Sequence, residues 1–316
     1  MKKDKKKKLR KKFRVRPIPL PRSVEEAQPD FPALNETSPL SEAVCAGDPG
    51  RVLGLLDGEA DPNERVGTRQ ASDSPLNLAV TKAQSAEVLR LLLERGADPS
   101  HSFHLACCSD GKACRRSPLS EAIGAQNAEM VRLLLEHDAD PNFPDLGFTR
   151  EGEPMRTSML SRAVEQGNAE ILRLLLEHGA DPNRATRTVC AGGHPHRRTV
   201  LSEAAVTYGN RELVRLLLEH GADPNGYNVG FCEDGRAVEE SVLNQLVRSN
   251  GSPEILRLLL EKGADPNASY RLWAGEQGSV YYTPLYDAME RGRESEQVQL
   301  LRQFGGYLMT AKEDEA

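Results

Sequence analysis

The chain has 316 residues, of which 38% are hydrophobic, 28% charged and 5% aromatic. It has no apolar run of about eighteen residues, which a transmembrane helix needs, so we expect none. No apolar run follows the N-terminal lysines, so a secretory signal peptide is not expected either. We expect the six Cys to be reduced thiols. These features predict a cytoplasmic or nuclear protein.

The chain begins with a strongly basic arm. Residues 1–16 hold eleven Lys or Arg and one Asp, a net charge of +10, so the other residues carry −16 of the total of −6. Like charges repel, and we expect residues 1–37, including a Pro-rich lead-in, to be largely disordered. The arm is interpreted as a nuclear import signal, a nucleic-acid contact, a contact for acidic lipid surfaces or an inert tail. Its candidate residues are Lys5, Lys6, Lys7, Lys8, Arg10, Lys11 and Lys12.

From residue 38 onward, two short motifs alternate. The first is SPLSEA at 38–43 and its copies, in which Ser or Thr followed by Pro predicts a helix start. The second is AEILRLLLEHGADPN at 169–183, with copies at 86–100, 128–142, 211–225 and 253–267. Its apolar residues at i, i+3 and i+4 predict a helix with one apolar face.

The second motif also predicts where its helix ends. A Gly such as Gly179 stops the helix in the left-handed conformation, and Asp-Pro-Asn then turns the chain. Asp138 replaces this Gly in one copy, where we expect a small loss of stability. Helix pairs this short cannot bury their own apolar faces, so stacked copies must form a solenoid.

The motifs SPLSEA, RLLLEHGADPN and TPLYDA resemble the ankyrin repeat. The resemblance implies an all-α repeat solenoid of about seven helix pairs over residues 38–309, followed by an acidic tail at 310–316. The family usually has His after Thr-Pro-Leu. The hydrogen bonds that this His makes between repeats must be replaced or absent in this chain. The residues at that position are Ser41, Asn77, Ser120, Ser161, Ser202, Asn244 and Tyr286.

The repeats are longer than the ankyrin unit of about 33 residues. Successive copies of the motif Leu are 36, 43, 41, 41, 42 and 42 residues apart. The extra residues follow Asp-Pro-Asn, at the position of the ankyrin finger. Their turn dipeptides predict β-hairpins that could pair edge to edge, whereas tolerated surface insertions are the alternative. These dipeptides are Asp110-Gly111, Glu151-Gly152, Gly192-Gly193, Asp234-Gly235 and Gln277-Gly278.

The chemistry of the fingers varies over a repeated scaffold. Finger 184–198 has four Arg and no acid, finger 226–240 is acidic, and the last finger is aromatic and holds the only Trp. We expect its aromatic residues either to bind a partner or to pack on a neighbouring finger or the C-terminal unit. Trp, Tyr and Arg often dominate interfaces. The candidate partner-binding residues are Arg187, Arg197, Arg198, Phe231, Arg236, Trp273, Tyr281 and Tyr282.

One finger carries side chains of the types that bind zinc. His101, His104, Cys107, Cys108 and Cys114 lie close in sequence, but their spacing matches no closed zinc pattern. We therefore assign no metal ligand. The chain contains no phosphate-binding loop or nucleophile motif, so we predict neither a catalytic residue nor a cofactor.

The sequence thus predicts a non-enzymatic scaffold, and the ankyrin resemblance implies that it binds a partner protein through its concave face and fingers. We expect the scaffold to be monomeric. The alternative is a nucleic-acid- or ribonucleoprotein-associated factor anchored by the basic arm, with Arg197 and Arg198 as added contacts. The acidic body argues against bulk nucleic-acid binding.

Overall fold

The computed structural model describes most of the repeat region. The described residues are 37–67, 71–100, 104–107, 113–148, 154–189, 195–231, 237–268, 270–273, 279–308 and 310–312. The basic arm and the five turn dipeptides lie outside these ranges.

Fourteen helices form seven consecutive pairs in the described part of the chain. They confirm the predicted helix-pair solenoid. The pairs are α1 (Pro39–Cys45) and α2 (Pro49–Asp57); α3 (Pro75–Leu78, continued by a π-helical turn at Ala79–Ala83) and α4 (Ala86–Glu94); α5 (Pro118–Gly124) and α6 (Ala128–Glu136); α7 (Met159–Glu165) and α8 (Ala169–Glu177); α9 (Val200–Ser202, continued by a π-helical turn at Glu203–Thr207) and α10 (Arg211–Glu219); α11 (Val242–Arg248) and α12 (Pro253–Glu261); and α13 (Pro284–Arg291) and α14 (Glu296–Gln303).

The first helix of most pairs begins as the sequence predicts. The side-chain oxygen of Ser117 accepts a hydrogen bond from Ser120 N at 3.1 Å, and Pro118 occupies the first helical position. Ser38 and Ser74 cap α1 and α3 in the same way. Thr283 differs, since its hydroxyl instead donates to Tyr307 O at 3.0 Å, which ties α13 to the chain that follows α14.

The second helices end in the left-handed conformation. Gly96, Gly179, Gly221 and Gly263 have φ between 85° and 90°, as predicted. Asp138 adopts φ 65° at the equivalent position, where a side chain is less favourable than Gly.

One hydrophobic core runs along the whole stack. Each helix pair buries its apolar residues against its own partner and against the neighbouring pairs, so that no repeat closes a core alone. The central Leu is fully buried in five of the seven second helices, at Leu92, Leu134, Leu175, Leu217 and Leu259.

The Asn of Asp-Pro-Asn joins each repeat to the next. Asn183, for example, donates to Gly221 O at 3.0 Å and accepts from Asp223 N at 2.8 Å. Asn63, Asn142, Asn225 and Asn267 make the same two bonds to their neighbours. Ser100 occupies this position at the joint between the second and third repeats, and its hydroxyl donates to Asp138 O at 3.3 Å.

The fingers form β-hairpins, and five of them join into one antiparallel ten-stranded sheet in sequence order. From β3 onward, pairing within a hairpin is longer than pairing between hairpins; β7 and β8 share four residue pairs, whereas β8 and β9 share one. The strands are β1 (Val66–Gly67), β2 (Ala71–Asp73), β3 (His104–Cys107), β4 (Ala113–Arg116), β5 (Asp145–Phe148), β6 (Pro154–Thr157), β7 (Thr186–Val189), β8 (Pro195–Arg198), β9 (Tyr227–Phe231) and β10 (Ala237–Ser241).

The last hairpin belongs to a separate three-stranded sheet. Its strands β11 (Tyr270–Trp273) and β12 (Ser279–Tyr282) are followed by β13 (Thr310–Lys312), which pairs with β12. The sequence predicts that residues 310–312 lie in the acidic tail, but they form a strand because β12 offers them an edge.

Candidate interaction surface

The sheet has two faces with different chemistry, because successive residues of a strand point to opposite sides. We call the face toward the first helices the inner face, since residues such as Thr186 and Asn228 contact those helices. The other face, which includes Arg156 and Arg197, is the outer face.

Inner-face residues contact the helix position at which ankyrin repeats usually have His. Ser120 donates to the carboxylate of Asp145, and Ser161 Oγ lies 2.6 Å from Thr186 Oγ1. Asn244 Nδ2 donates to Ala268 O at 2.6 Å. These bonds replace those of the His, and each one fixes the chain that enters the next hairpin to the first helix of its repeat.

Asp145 is the most buried carboxylate at this boundary. Its Oδ2 atom accepts hydrogen bonds from Ser120 and from Arg162 Nη1, the latter at 3.2 Å. Its Oδ1 atom is buried and has no hydrogen-bond partner among the described residues. Burial raises the pKa of Asp145, although Ser120 and Arg162 act in the opposite direction. The group therefore holds the hairpin in place at an electrostatic cost.

Further polar contacts continue along the inner face. Asn228 is 4% exposed and donates to Ser202 Oγ at 2.6 Å and to Gln245 Oε1 at 2.7 Å, while its Oδ1 accepts from Thr199 N at 2.8 Å. Glu240 accepts from Arg248 at 2.8 Å. Burial raises the pKa of Glu240, and Arg248 lowers it in part.

A line of arginines crosses the outer face. Arg156, Arg187 and Arg197 lie directly opposite one another on β6, β7 and β8. Leu146 separates Arg156 from Arg115 on β4, which is in the same register row. We call Arg115, Arg156, Arg187 and Arg197 the arginine row. Like charges at facing positions destabilise a sheet, so this arrangement does not arise from strand pairing alone.

The arginine row has further electrostatic consequences at Arg115. Burial lowers the pKa of this guanidinium, and the charge of Arg156 lowers it further. The same guanidinium stacks on Phe143, with 4.5 Å between the guanidinium carbon and the ring centroid. This stacking fixes one end of the row against the outer face.

A pocket of about 350 Å³ opens beside the arginine row. Its charged lining residues are Arg156, Arg184, Arg197 and Asp181, a formal charge of +2. Ser158 and Asn183 also line it. We call this site the arginine pocket. It lies where the outer face meets the chain between α8 and β7, and so combines residues that are about forty positions apart in sequence.

The predicted candidate residues fall into different places. Arg197 and Arg198 are adjacent in sequence but lie on opposite faces, since Arg197 pairs with Arg187 whereas Arg198 pairs with Thr186. Phe231 lies opposite Ala237, at the end of the β9–β10 ladder toward the hairpin tip. Arg236 and the basic arm lie outside the described residues, so the import, nucleic-acid and lipid interpretations of the arm stay predictions.

The C-terminal unit contacts part of the aromatic finger. Tyr281 and Tyr282 lie opposite Ala311 and Thr310 of β13, and Trp273 lies opposite Ser279. The ring of Tyr282 packs on that of Tyr286 in α13, with 5.0 Å between their centroids. Tyr282 therefore contributes to packing against the last repeat, which was one of the two expectations for this finger.

Arg115 and Arg156 were not among the candidate residues predicted from the sequence. Each belongs to a different finger, and neither finger is basic enough to attract notice by itself. Their position in the repeat could have identified them. Arg115 and Arg156 each lie two residues before the Ser that caps the following helix, at Ser117 and Ser158, and Arg197 lies two residues before the capping Thr199.

The Cys- and His-rich finger lies only partly within the described residues. His101 and Cys108 lie outside them, whereas Cys107 and Cys114 lie opposite Ala113 and Ala106, and so on opposite faces of the sheet. Throughout the described ranges, no group of three or more His, Cys, Asp or Glu side chains is placed to bind a metal ion. Nor does any helix in those ranges have the length and apolar character to cross a membrane.

Stacked helix pairs with a hairpin between successive repeats define an ankyrin-type solenoid. Models of the ankyrin repeat match residues 72–102, 101–186, 148–228 and 187–270. The chain therefore belongs to the ankyrin repeat family. Ankyrin repeats generally mediate protein–protein interaction, and this is the coarse function that membership indicates.

Solved structures of ankyrin repeat domains are among those that are similar to this chain. The ankyrin repeat domain of Bcl-3, a member of the IkappaB family, is 25% identical, covers 85% of this chain and 99% of its own, and has a TM-score of 0.55. The human ASB11 ankyrin repeat domain is 20% identical over 86% of this chain and 100% of its own, with a TM-score of 0.49. An ankyrin repeat domain from Acinetobacter baumannii AYE is 26% identical over 72% and 98%, with a TM-score of 0.49. No curated protein matches the chain.

Proposed function

We propose that the chain is a non-enzymatic scaffold that binds a partner protein through the concave face of its ankyrin repeats and its extended hairpin fingers. The observation that carries this proposal is the joining of five hairpins into one sheet over the helix stack, while the chemistry changes from one hairpin to the next. A fixed frame with variable side chains is the arrangement that recognition of a folded partner requires.

The anchored bases of the hairpins support this proposal. Contacts such as Ser161–Thr186 and Asn228–Ser202 fix the base of each hairpin before any partner arrives. A surface that is already ordered loses less conformational entropy on binding, so more of the contact energy appears as affinity.

Neighbouring hairpins also differ in charge. On the outer face, strands β7 and β8 carry Arg187 and Arg197, whereas β10 carries the exposed Glu239. Positive and negative strands side by side favour a partner with the complementary pattern and disfavour others. This supports selective binding rather than general adhesion to charged molecules.

The test is affinity capture with the full chain and with a variant whose hairpin tips are shortened. The deletions are confined to residues 108–112, 149–153, 190–194, 232–236 and 274–278, each replaced by a two-residue turn. All helices and the inner-face anchors remain, so helix content measured by circular dichroism is expected to stay unchanged.

We expect the shortened variant to lose specific protein partners that the intact chain retains. A control variant carries Arg90→Gln and Arg132→Gln on the second helices, away from the sheet, and is expected to retain them. Identical sets of captured proteins from all three forms would contradict recognition by the hairpins.

The monomeric state and the cytoplasmic or nuclear location stay predictions. The nucleic-acid alternative also stays a prediction. It is tested by deleting residues 1–16 and measuring RNA retention on filters at increasing salt, because phosphate contacts are strongly salt-dependent.

A further inference from the structure

We propose that the arginine pocket and the arginine row bind an extended acidic peptide segment of a partner protein on the outer face of the sheet. This surface lies on the hairpins of the proposed function and shares Arg187 and Arg197 with it. The inference therefore rests on the proposed function, and it names the chemistry of one segment of the partner.

Charge is the first argument. Three of the four charged residues that line the pocket are arginines, although residues 17–316 as a whole carry a net charge of −16. A local positive site on an acidic body attracts an anion and leaves the rest of the surface repulsive to it. Long polyanions such as RNA meet that repulsion over their whole length, whereas a short acidic segment meets it little. The observations therefore favour a peptide.

The placement of two arginines in one pocket is the second argument. Arg156 and Arg197 are half-buried and line the same pocket. A carboxylate that accepts paired hydrogen bonds from guanidinium groups makes charge-assisted bonds, which are stronger than bonds between neutral groups, so this pocket suits an acidic ligand.

Geometry sets the spacing of the acidic residues. Adjacent strands are about 4.8 Å apart, so Arg156 and Arg197, two strands apart, are separated by roughly 10 Å. A peptide in the extended polyproline II conformation rises about 3.1 Å per residue with three residues per turn, so carboxylates three positions apart lie on the same side and would reach both arginines. Arg115 lies two strands beyond Arg156 and would meet a third acidic residue at the same spacing.

The size of the pocket fits side-chain recognition. Ligand pockets commonly have volumes of about 300–1,000 Å³, and this one is at the lower end of that range. It therefore suits a carboxylate side chain with its neighbouring backbone. Ser158 and Asn183 also line the wall, but their side chains already make hydrogen bonds within the chain, so recognition depends on the arginines.

The experiment measures fluorescence anisotropy of a labelled synthetic peptide with Glu at every third position in a Gly/Ser background. A second peptide has the same composition but contiguous Glu residues. The full chain is compared with the double variant Arg156→Gln/Arg197→Gln. Its matched control is Arg90→Gln/Arg132→Gln, which removes two exposed arginines of the second helices and gives the same net charge.

We expect the pocket variant to bind the spaced peptide at least about tenfold more weakly than the full chain, while the control binds it normally. We also expect the contiguous peptide to bind more weakly than the spaced one, and added salt to weaken both. The basic arm is present in every form, so it cannot cause a difference between them.

Equal binding by the pocket variant and the full chain would overturn the proposal. So would an equal loss in both double variants, because net charge alone would then explain it. Single-stranded RNA and the unlabelled peptide are each tested as competitors of the labelled peptide. Displacement by RNA at a lower concentration than the unlabelled peptide requires would assign the site to nucleic acid. The hairpin-shortened variant keeps every pocket residue and is expected to bind the spaced peptide normally, which separates this result from the test of the proposed function.

Discussion

The two faces of the ten-stranded sheet use the same strands for different purposes. On the inner face, polar residues such as Asp145 and Asn228 are buried and make hydrogen bonds to the first helices. On the outer face, residues of like charge occupy neighbouring strands and line an open pocket. The first arrangement fixes the hairpins to the helices, whereas the second places like charges on neighbouring strands.

This comparison shows how a repeat protein can gain a binding surface without losing its scaffold. Alternation along a strand separates the two kinds of residue by one position, as Arg197 and Arg198 show. Substitutions on one face are therefore expected to affect stability, and substitutions on the other to affect binding.

The largest expected effect is that of Asp145→Ala on the inner face. The substitution leaves Arg162 and Ser120 without their buried partner, and we expect the free energy of unfolding to fall by about 3 kcal/mol. Urea unfolding followed by circular dichroism measures this change. Asp145→Asn is expected to cost less, because burial already disfavours the charged carboxylate. If Asp145→Ala lowered the free energy of unfolding by less than the outer-face control Glu239→Ala does, the distinction between the two faces would be contradicted.

Asn228→Ala is expected to have the next largest effect. Its side chain makes three short hydrogen bonds while almost fully buried. Its removal takes the partner of the Thr199 amide and one bond each from Ser202 and Gln245, which still bond to each other. We expect a loss of about 2 kcal/mol in the free energy of unfolding, measured in the same way. If this variant were as stable as the unsubstituted chain, the hairpin bases would not depend on these anchors.

The pH dependence of stability gives a third and smaller test. Burial raises the folded-state pKa of Glu240 above 4.5, the ordinary value for Glu. Between these two pKa values the folded chain holds a proton that the unfolded chain has released, so stability falls as the pH rises through this window. Glu240→Gln is expected to reduce that slope, measured by thermal unfolding at a series of pH values. Glu239→Gln, its neighbour on the outer face, is expected to keep the slope of the unsubstituted chain.

The smallest expected effect on stability comes from the arginine pocket. Arg156→Gln/Arg197→Gln relieves repulsion between facing charges, so we expect unfolding free energy to stay constant or rise by about 0.5 kcal/mol. Chemical denaturation checks this, with Arg90→Gln/Arg132→Gln as the control. A loss comparable to that of Asn228→Ala would show that the row has a structural role and that the outer face resembles the inner one.

The sequence predicted much of this architecture because the repeat signals are local. The caps at Ser38, Ser74 and Ser117, the left-handed Gly residues and the apolar face of each second helix all depend on residues within a few positions of one another. The hairpins were predicted for the same reason, from turn dipeptides at regular spacing. The replacement of the family's His could be anticipated, but its new partners could not, because Ser120 and Asp145 are 25 residues apart.

The candidate site was only partly predictable. Arg187 and Arg197 were selected because one finger is visibly basic, whereas Arg156 belongs to a different repeat and joins them only through pairing between β6 and β7. Register between hairpins depends on how the helix pairs stack, and stacking depends on contacts between residues about forty positions apart. The amino-acid sequence by itself thus determined the repeating unit, its caps and its hairpins, which local backbone and side-chain preferences fix. Only the tertiary structure decided which face each arginine occupies and which repeats share a pocket. Alternation along a strand places successive residues on two faces, but packing of the sheet on the helices decides which of these faces is the outer one.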